Sequence, residues 1–479
     1  MIFSSFTFMV FFAAVLSLYA MARSYPQRAA IILAASIIFY ASWRPAYLIL
    51  LFASLLVNYF IYARLAKTRH KGWLISGLVL NITALGAFKY LGLFLDTTFI
   101  LAGWAGYSVP AQRPEWVSWA LPLGISFYTF HMLSVMIDVY RGEWTRRISF
   151  LSWTLYVTFF PHMIAGPILR ASELVEQLEQ LKPLSLGNVR LGSLIFVGGL
   201  AKKALLADNL APIVDKIYSQ PQTLDFGLAW AGTSAFGLQI YFDFSGYSEM
   251  AIGLALILGV TLPRNFLYPY ISRSVREFWQ RWHITLSRWL RDYLYISLGG
   301  SRCTLPRSLA NLMLTMLLGG LWHGAGWNFA FWGFLHGLYL VAHRLLLQGY
   351  AWVGIREGGR LALALSWMGL PLTLVLVAFT WVFFRATSFA DAWAVSAAML
   401  GLTLPQGTAV ILRSYELGVV GLGAAVVFIE PWVVTKLTKL GPEVWWRVPF
   451  PLRGIAYFMF VLAVIVFGGL TQKFIYFDF

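Results

Sequence analysis

Charge is what this chain has least of. Of 479 residues only 12% are Asp, Glu, Lys or Arg, while 59% are hydrophobic. A soluble domain carries about 25% charged residues. Half that share over the whole length excludes an ordinary globular protein and points to a polytopic helical membrane protein. Cysteine is nearly absent too, since Cys303 stands alone. One thiol excludes an intramolecular disulfide, a CxxC redox pair and a cysteine zinc site. Cys303 is read as a small residue in a basic loop rather than a thioester carrier or a lipidation site. Catalytic signatures are missing as well. There is no GxSxG, no HExxH and no GxxxxGKS/T. Nothing local supports a serine hydrolase, a zincin or a P-loop ATPase, and no metal site is expected. No stretch is polar enough for a soluble domain of useful size; the least hydrophobic lie near 96–118, 168–190 and 263–307.

What charge there is has one sign in excess. Lys and Arg number 36 against 20 Asp and Glu, a net +16. Without a basic polar domain this does not indicate nucleic acid. It fits basic loops held beside anionic lipid on the cytoplasmic side. Arg23 and Arg28 fall on one side, Arg44 alone on the other, and Arg64, Lys67, Arg69 and Lys71 on the first side again, followed by Arg141, Arg146 and Arg147. This alternation predicts an outside N-terminus in a multi-pass inner-membrane protein. No basic residue precedes Arg23, so the opening segment is expected to be a retained first membrane helix. About eleven spanning helices are expected, with re-entrant and amphipathic ones between them. Phe159–Arg170 and Tyr241–Met250 are expected to be breaks, because Gly, Pro or polar residues interrupt the apolar run there.

Glu277–Gly300 is the least membrane-like segment with clear periodicity. At about 100° per residue, Phe278, Trp282, Leu286, Trp289, Tyr293 and Ile296 share one face of a single helix. Glu277, Arg281, Thr285, Arg288 and Asp292 share the other, with Arg291 beside them and His283 at the seam. Two readings coexist. One is an interfacial helix with a solvated basic face. The other is the mouth of a cavity whose arginines meet an anionic ligand. The acidic residues among the arginines suggest pairing.

There are seven histidines. His70 lies in a basic loop, and His343 beside Arg344 suggests a helix end. His131 and His162 are expected to bond to backbone. His323 differs. It sits in "MLLGGLWHGAGW", where Gly319, Gly320, Gly324 and Gly326 strip bulk from both sides. An ionisable residue inside a membrane is a functional-site candidate by default. A histidine there could take the proton of a hydroxyl as it attacks an activated acyl group. His336, thirteen residues on, ranks below it.

These segments carry a resemblance. "EFWQRWHITLSRWLRDYLYISLGG" and "NLMLTMLLGGLWHGAGWNFAFWGFLHG" resemble the signature region of the membrane-bound O-acyltransferases, here 277–337. "LPLGISFYTFHMLSVMIDVYRG", "FFPHMIAGPILR", "QIYFDFSGYSEMAIGLALILG" and the opening "MIFSSFTF" are similar to the bacterial branch that serves alginate O-acetylation. Gln280 stands where that branch commonly has arginine. The resemblance weakens after about residue 385. It implies an all-α membrane fold, one domain over 1–479, with tilted helices around a central tunnel. It implies His323 as catalytic base and His283 as its partner, and makes Asp292 a recurrent position. Arg281, Arg288, Arg291, Asp292 and Trp322 are the candidate substrate-binding residues; for the three arginines the argument is charge facing a phosphorylated donor. No permanently bound cofactor is expected. Acetyl-CoA or another acetyl thioester would enter from the cytoplasm, and periplasmic SGNH-type acetyltransferases would be partners, with membrane lipid around the chain. The implied activity is O-acetylation of an exported polysaccharide, alginate first, with cellulose or peptidoglycan as alternatives. A transporter, or a scaffold without acyl-transfer chemistry, is the competing reading.

Overall fold

The computed structural model describes all residues except 111–112, 115–116, 118–120, 165, 354–358, 403–410, 442, 469–473 and 476–479, and gives only the backbone of 351 and 360–366. Among the described residues there is no strand. The first group of helices is α1 (Phe6–Met21), α2 (Tyr25–Ala41), α3 (Tyr47–Thr68), α4 (Lys71–Leu85), α5 (Leu91–Trp104), α6 (Ile125–Arg141), α7 (Phe150–Thr158) and α8 (Ala171–Leu178). There follow α9 (Leu186–Ala201), α10 (Asp208–Tyr218), α11 (Phe226–Ile257), α12 (Val275–Arg281), α13 (Ile284–Trp289), α14 (Leu305–His323) and α15 (Trp327–Trp352). The chain continues with α16 (Arg360–Arg385), α17 (Phe389–Met399), α18 (Ser414–Leu440), α19 (Val444–Arg447) and α20 (Phe450–Phe467).

Local chemistry sets many boundaries. Ser5, Ser149, Asp225, Ser274 and Ser388 accept a backbone N–H from the first turn of α1, α7, α11, α12 and α17. Each such cap satisfies a donor the helix cannot. Pro26, Pro306 and Pro451 sit in first turns, where a missing N–H costs nothing.

α11 is the spine. Phe244, Tyr247 and Met250 belong to a core shared with α1, α2, α3, α6 and α7. Phe236, Ile240 and Phe242 belong to a second core shared with α10, α12, α15, α16 and α17. Among the described residues, six helical runs are long and apolar enough to cross a membrane: α3, the unbroken Lys71–Trp104, α15, α16, α18 and α20, while α1 and α2 are apolar but shorter.

Two expectations are corrected. Tyr241–Met250 is no break, since α11 runs through it for 32 residues. Its acidic residues are paired inside the protein, Asp243 with Lys203 at 2.8 Å and Glu249 with Lys202 at 2.5 Å. Compensated charges need not interrupt a helix. Glu277–Gly300, in turn, is not one helix. It breaks at Trp282–His283 between α12 and α13, and continues from Leu290 to Tyr295 as a π turn. The wheel drawn over its whole length therefore fails beyond Arg281. The Phe159–Arg170 interruption is present; α7 stops at Thr158 and α8 starts at Ala171.

The basic loops converge on one face. Arg28 donates to Leu181 O, Arg146 pairs with Glu176 and Glu179, and Arg141 donates to Asp292 O and Ser297 Oγ. The amino terminus lies elsewhere, donating to Ser42 Oγ at 3.0 Å, two residues from Arg44.

Candidate active site

His323 is the last residue of α14, and the turn 324–326 leads straight into α15. Glycine makes this hairpin close. A Cβ on Gly320 would lie 2.3 Å from Phe329 O, and one on Gly333 would lie 2.3 Å from Met316 O. Side chains at these positions would drive the helices apart. The chain thus brings His323 into the interior, 3% exposed, against Trp322, Trp332 and Phe384 with ring centroids 5.0, 5.1 and 5.3 Å away.

His283 arrives by another route. Trp282 caps α12 by donating to Phe278 O. His283 then turns left-handed, φ 41° and ψ 53°, before α13 begins. A non-glycine residue in that region costs about 1–3 kcal/mol and is typical of functional sites. Asn265 fixes the turn. Its carbonyl accepts Ile284 N–H at 2.9 Å and its Oδ1 accepts Thr285 Oγ1 at 3.0 Å. Thr285 Oγ1 in turn accepts Ile168 N–H, which ties the Phe159–Arg170 interruption to the same latch. His283 is fully buried, 4.7 Å from the Phe244 ring and 6.2 Å from His323. Two imidazoles, forty residues apart in sequence, share one aromatic chamber.

Two cavities open along α14. The larger holds about 710 Å³, within the range of small-molecule sites. Arg276, Arg288, Arg291, His343 and Arg344 line it, together with Thr315 and Met316 of α14. The π turn that forms part of its wall is bound by Arg141, so it opens on the basic face. The smaller, about 80 Å³, is lined by Trp43, Lys89, residues 121–127, Trp322 and His323. Met316 and Trp322 are six residues apart, about 9 Å of helix. The resemblance implies a tunnel, and these two cavities touch α14 at Met316 and at Trp322.

The other candidates divide. Arg288 and Arg291 line the basic cavity. Arg288 is paired with Glu173 at 2.6 Å and Arg291 with Asp292 at 2.7 Å. Asp292 also pairs with Arg170, and is not among the lining residues. Arg281 is not brought there either; it pairs with Glu277 and donates to Leu267 O. Trp322 lines the smaller cavity. His336 has both ring nitrogens engaged. Thr380 Oγ1 donates to Val377 O and so can only accept from Nε2–H, while Nδ1 accepts from Trp279 Nε1–H. His131 Nε2 accepts Leu169 N–H, and His162 Nε2–H donates to Tyr156 O, the backbone bonds expected of them. His343 was expected at a helix end; it lies within α15 and lines the basic cavity. Among the described residues, no group of three or more His, Cys, Asp and Glu stands close enough to hold a metal ion.

Sequence reading missed Asn265, Arg276 and Lys89. Lys89 lies inside the apolar run Lys71–Trp104 yet lines the smaller cavity beside His323. Its signal was a charge well inside that run, the same rule that singled out His323.

The model of the membrane-bound O-acyltransferase family matches residues 36–371. This chain is a membrane-bound O-acyltransferase. It is 41% identical over 405 residues to a Pseudomonas aeruginosa protein described as a probable alginate O-acetylase AlgI, covering 83% of this chain and 75% of the relative. It is 38% identical over 398 residues to a Helicobacter pylori peptidoglycan O-acetyltransferase, covering 77% and 73%. A Streptococcus thermophilus teichoic acid D-alanyltransferase is 29% identical over 248 residues, 47% of this chain and 57% of the relative. As an O-acyltransferase of this family the chain is an enzyme and a multi-pass membrane protein, and the homologues support acyl transfer to polysaccharide.

Proposed function

We propose that this acyltransferase accepts acetyl from a cytoplasmic thioester, acetyl-CoA or another, and passes it across the membrane for O-acetylation of an exported polysaccharide. Alginate is the first choice of polymer, on the names of its relatives. Cellulose and peptidoglycan are alternatives, the latter favoured by the Helicobacter relative. One observation carries the reading: His323 and His283 lie 6.2 Å apart among aromatic rings, and α14, which ends in His323, lines both a basic cavity and a smaller one.

The chemistry follows from that arrangement. An acceptor hydroxyl attacks the thioester carbonyl, the new C–O bond forms and the C–S bond breaks. His323 takes the hydroxyl proton and returns it to the departing thiolate. His283 orients the acyl group or stabilises the oxyanion that develops on it. Arg288 and Arg291 draw the phosphates of the donor to the basic mouth. Arg276 and Arg344 line the same cavity and join them in this role. The basic loops face the cytoplasm by the positive-inside rule, which puts the N-terminus outside the inner membrane. Periplasmic SGNH-type acetyltransferases complete the relay as partners.

His323→Ala is the test. Acyl transfer from an acetyl thioester and acetyl on the secreted polymer are both measured, with insertion confirmed. Loss of general base catalysis is expected to lower transfer by about 10²–10⁴-fold. Wild-type transfer by a folded variant would overturn His323 as the base, whereas acetyl on the polymer with no thioester-dependent transfer by the unaltered chain would favour a scaffold or transporter.

A further inference from the structure

We propose that Lys89, with Tyr90, is a positioning residue for His323, acting through the carbonyls at the end of α14. The inference rests on His323 being the base. A helix leaves its last four carbonyls without intrahelical partners. In water solvent satisfies them, whereas inside a membrane protein the protein must. At the end of α14, Gly324 is extended, φ −159° and ψ 149°, and closes no capping turn. The partners come from another helix. Tyr90 Oη donates to Leu321 O at 2.8 Å, and Lys89 Nζ donates to Trp322 O at 2.5 Å and His323 O at 3.3 Å. Three successive carbonyls, the last belonging to His323 itself, are thus held by two adjacent side chains.

Lysine suits the task better than a neutral donor. One ammonium supplies three protons and spans two carbonyls, and its charge opposes the negative end of the α14 dipole. Lys89 and Tyr90 close a π turn, Gly86–Tyr90, between α4 and α5. Such turns are frequent at functional sites. Lys89 also shares the smaller cavity with His323 and Trp322. The basic cavity, by contrast, touches α14 at Leu312, Thr315 and Met316. Loosening the last turn of α14 should therefore misplace the imidazole without disturbing donor binding.

This separates the parameters. Lys89→Met is expected to lower kcat for acyl transfer by about 10–10²-fold, the scale of a misplacement near 1 Å, with donor KM unchanged. Tyr90→Phe removes one hydroxyl with no change of shape and is expected to lower kcat by a smaller factor, again at constant KM. The single cysteine permits a restoration experiment. In a Cys303→Ser background, Lys89→Cys is treated with 2-aminoethyl methanethiosulfonate, which attaches an ammonium through a disulfide. Recovered kcat, lost again on reduction, is the expected result and one that mere packing would not give. If Lys89→Met does not accumulate in the membrane, Tyr90→Phe decides alone. Wild-type kcat in folded variants, or a raised donor KM at constant kcat, overturns the proposal. His323→Ala is run in the same assay. If it is silent, the base reading falls and this inference with it; if it alone is inactive, only this inference falls.

Discussion

α9 and α11 pack through glycine as closely as α14 and α15 do. A Cβ on Gly199 would lie 2.5 Å from Gly246 O, matching the 2.3 Å of Gly320 to Phe329 O. Both pairs carry ionisable groups at the seam, yet they use them differently. Where α9 runs into the π turn Lys202–Ala207 beside α11, the charges are spent on one another. Lys203 bridges Asp208 at 2.7 Å and Asp243 at 2.8 Å, and Lys202 reaches Glu249 and Glu430. In the α14–α15 pair the ionisable group is an imidazole, and the hairpin brings it to a cavity wall. An ionisable residue in a membrane is therefore not a site by its presence alone. The neighbouring space decides between a packing element and a reactive one.

The largest effect expected from breaking this comparison is at Lys203. Lys203→Met leaves Asp208 and Asp243 buried without their ammonium. Removing one partner of a buried ion pair costs about 3–5 kcal/mol. The melting temperature in detergent should fall steeply, and the folded fraction should keep its kcat. Adding Asp243→Asn should recover part of the loss. Unchanged melting with lost transfer would instead make the lysine network part of the chemistry.

Matched changes at the two seams give a smaller effect. Gly199→Ala and Gly320→Ala each insert a methyl against backbone, and overpacking of this kind costs about 1–3 kcal/mol. Both should lower melting temperature alike. Only Gly320→Ala should also lower kcat, because it shifts α14 along α15 and moves His323. Equal kcat for the two would mean the hairpin does not set the depth of the imidazole.

The sequence carried much of this, and physics explains the remainder. Hydropathy identified the membrane class. The glycines around His323 signalled a close helix approach, which Gly320 and Gly333 make. What periodicity could not reveal was a single residue leaving the helix. His283 turns left-handed because Asn265, eighteen residues earlier, supplies the bonds that α13 needs at its start. The wheel through Glu277–Gly300 had no means of seeing that partner. α11 escaped notice for the converse reason. Its acidic residues looked like a break only while their lysines, forty or more residues upstream, were out of view. Lys89 is the extreme case, since its acceptors lie 233 and 234 residues away.

The smallest effect tests the same distinction within one helix pair, His323 ending α14 and His336 lying in α15. His336 and His323 both belong to the chamber lined by Trp332, whose ring lies 4.7 Å from one and 5.1 Å from the other. His336 donates to Thr380 and accepts from Trp279, so its imidazole has no nitrogen left for a substrate proton. Thr380→Val removes the acceptor and keeps the shape. The lost hydrogen bond should cost about 1 kcal/mol of stability, and kcat should stay within about two-fold, since a transition-state role would show a larger loss. A larger fall in kcat with unaltered melting would mean that a histidine with both nitrogens engaged still feeds the reaction. The line between spent and available polar groups would then have to be drawn at Trp332 rather than at His336.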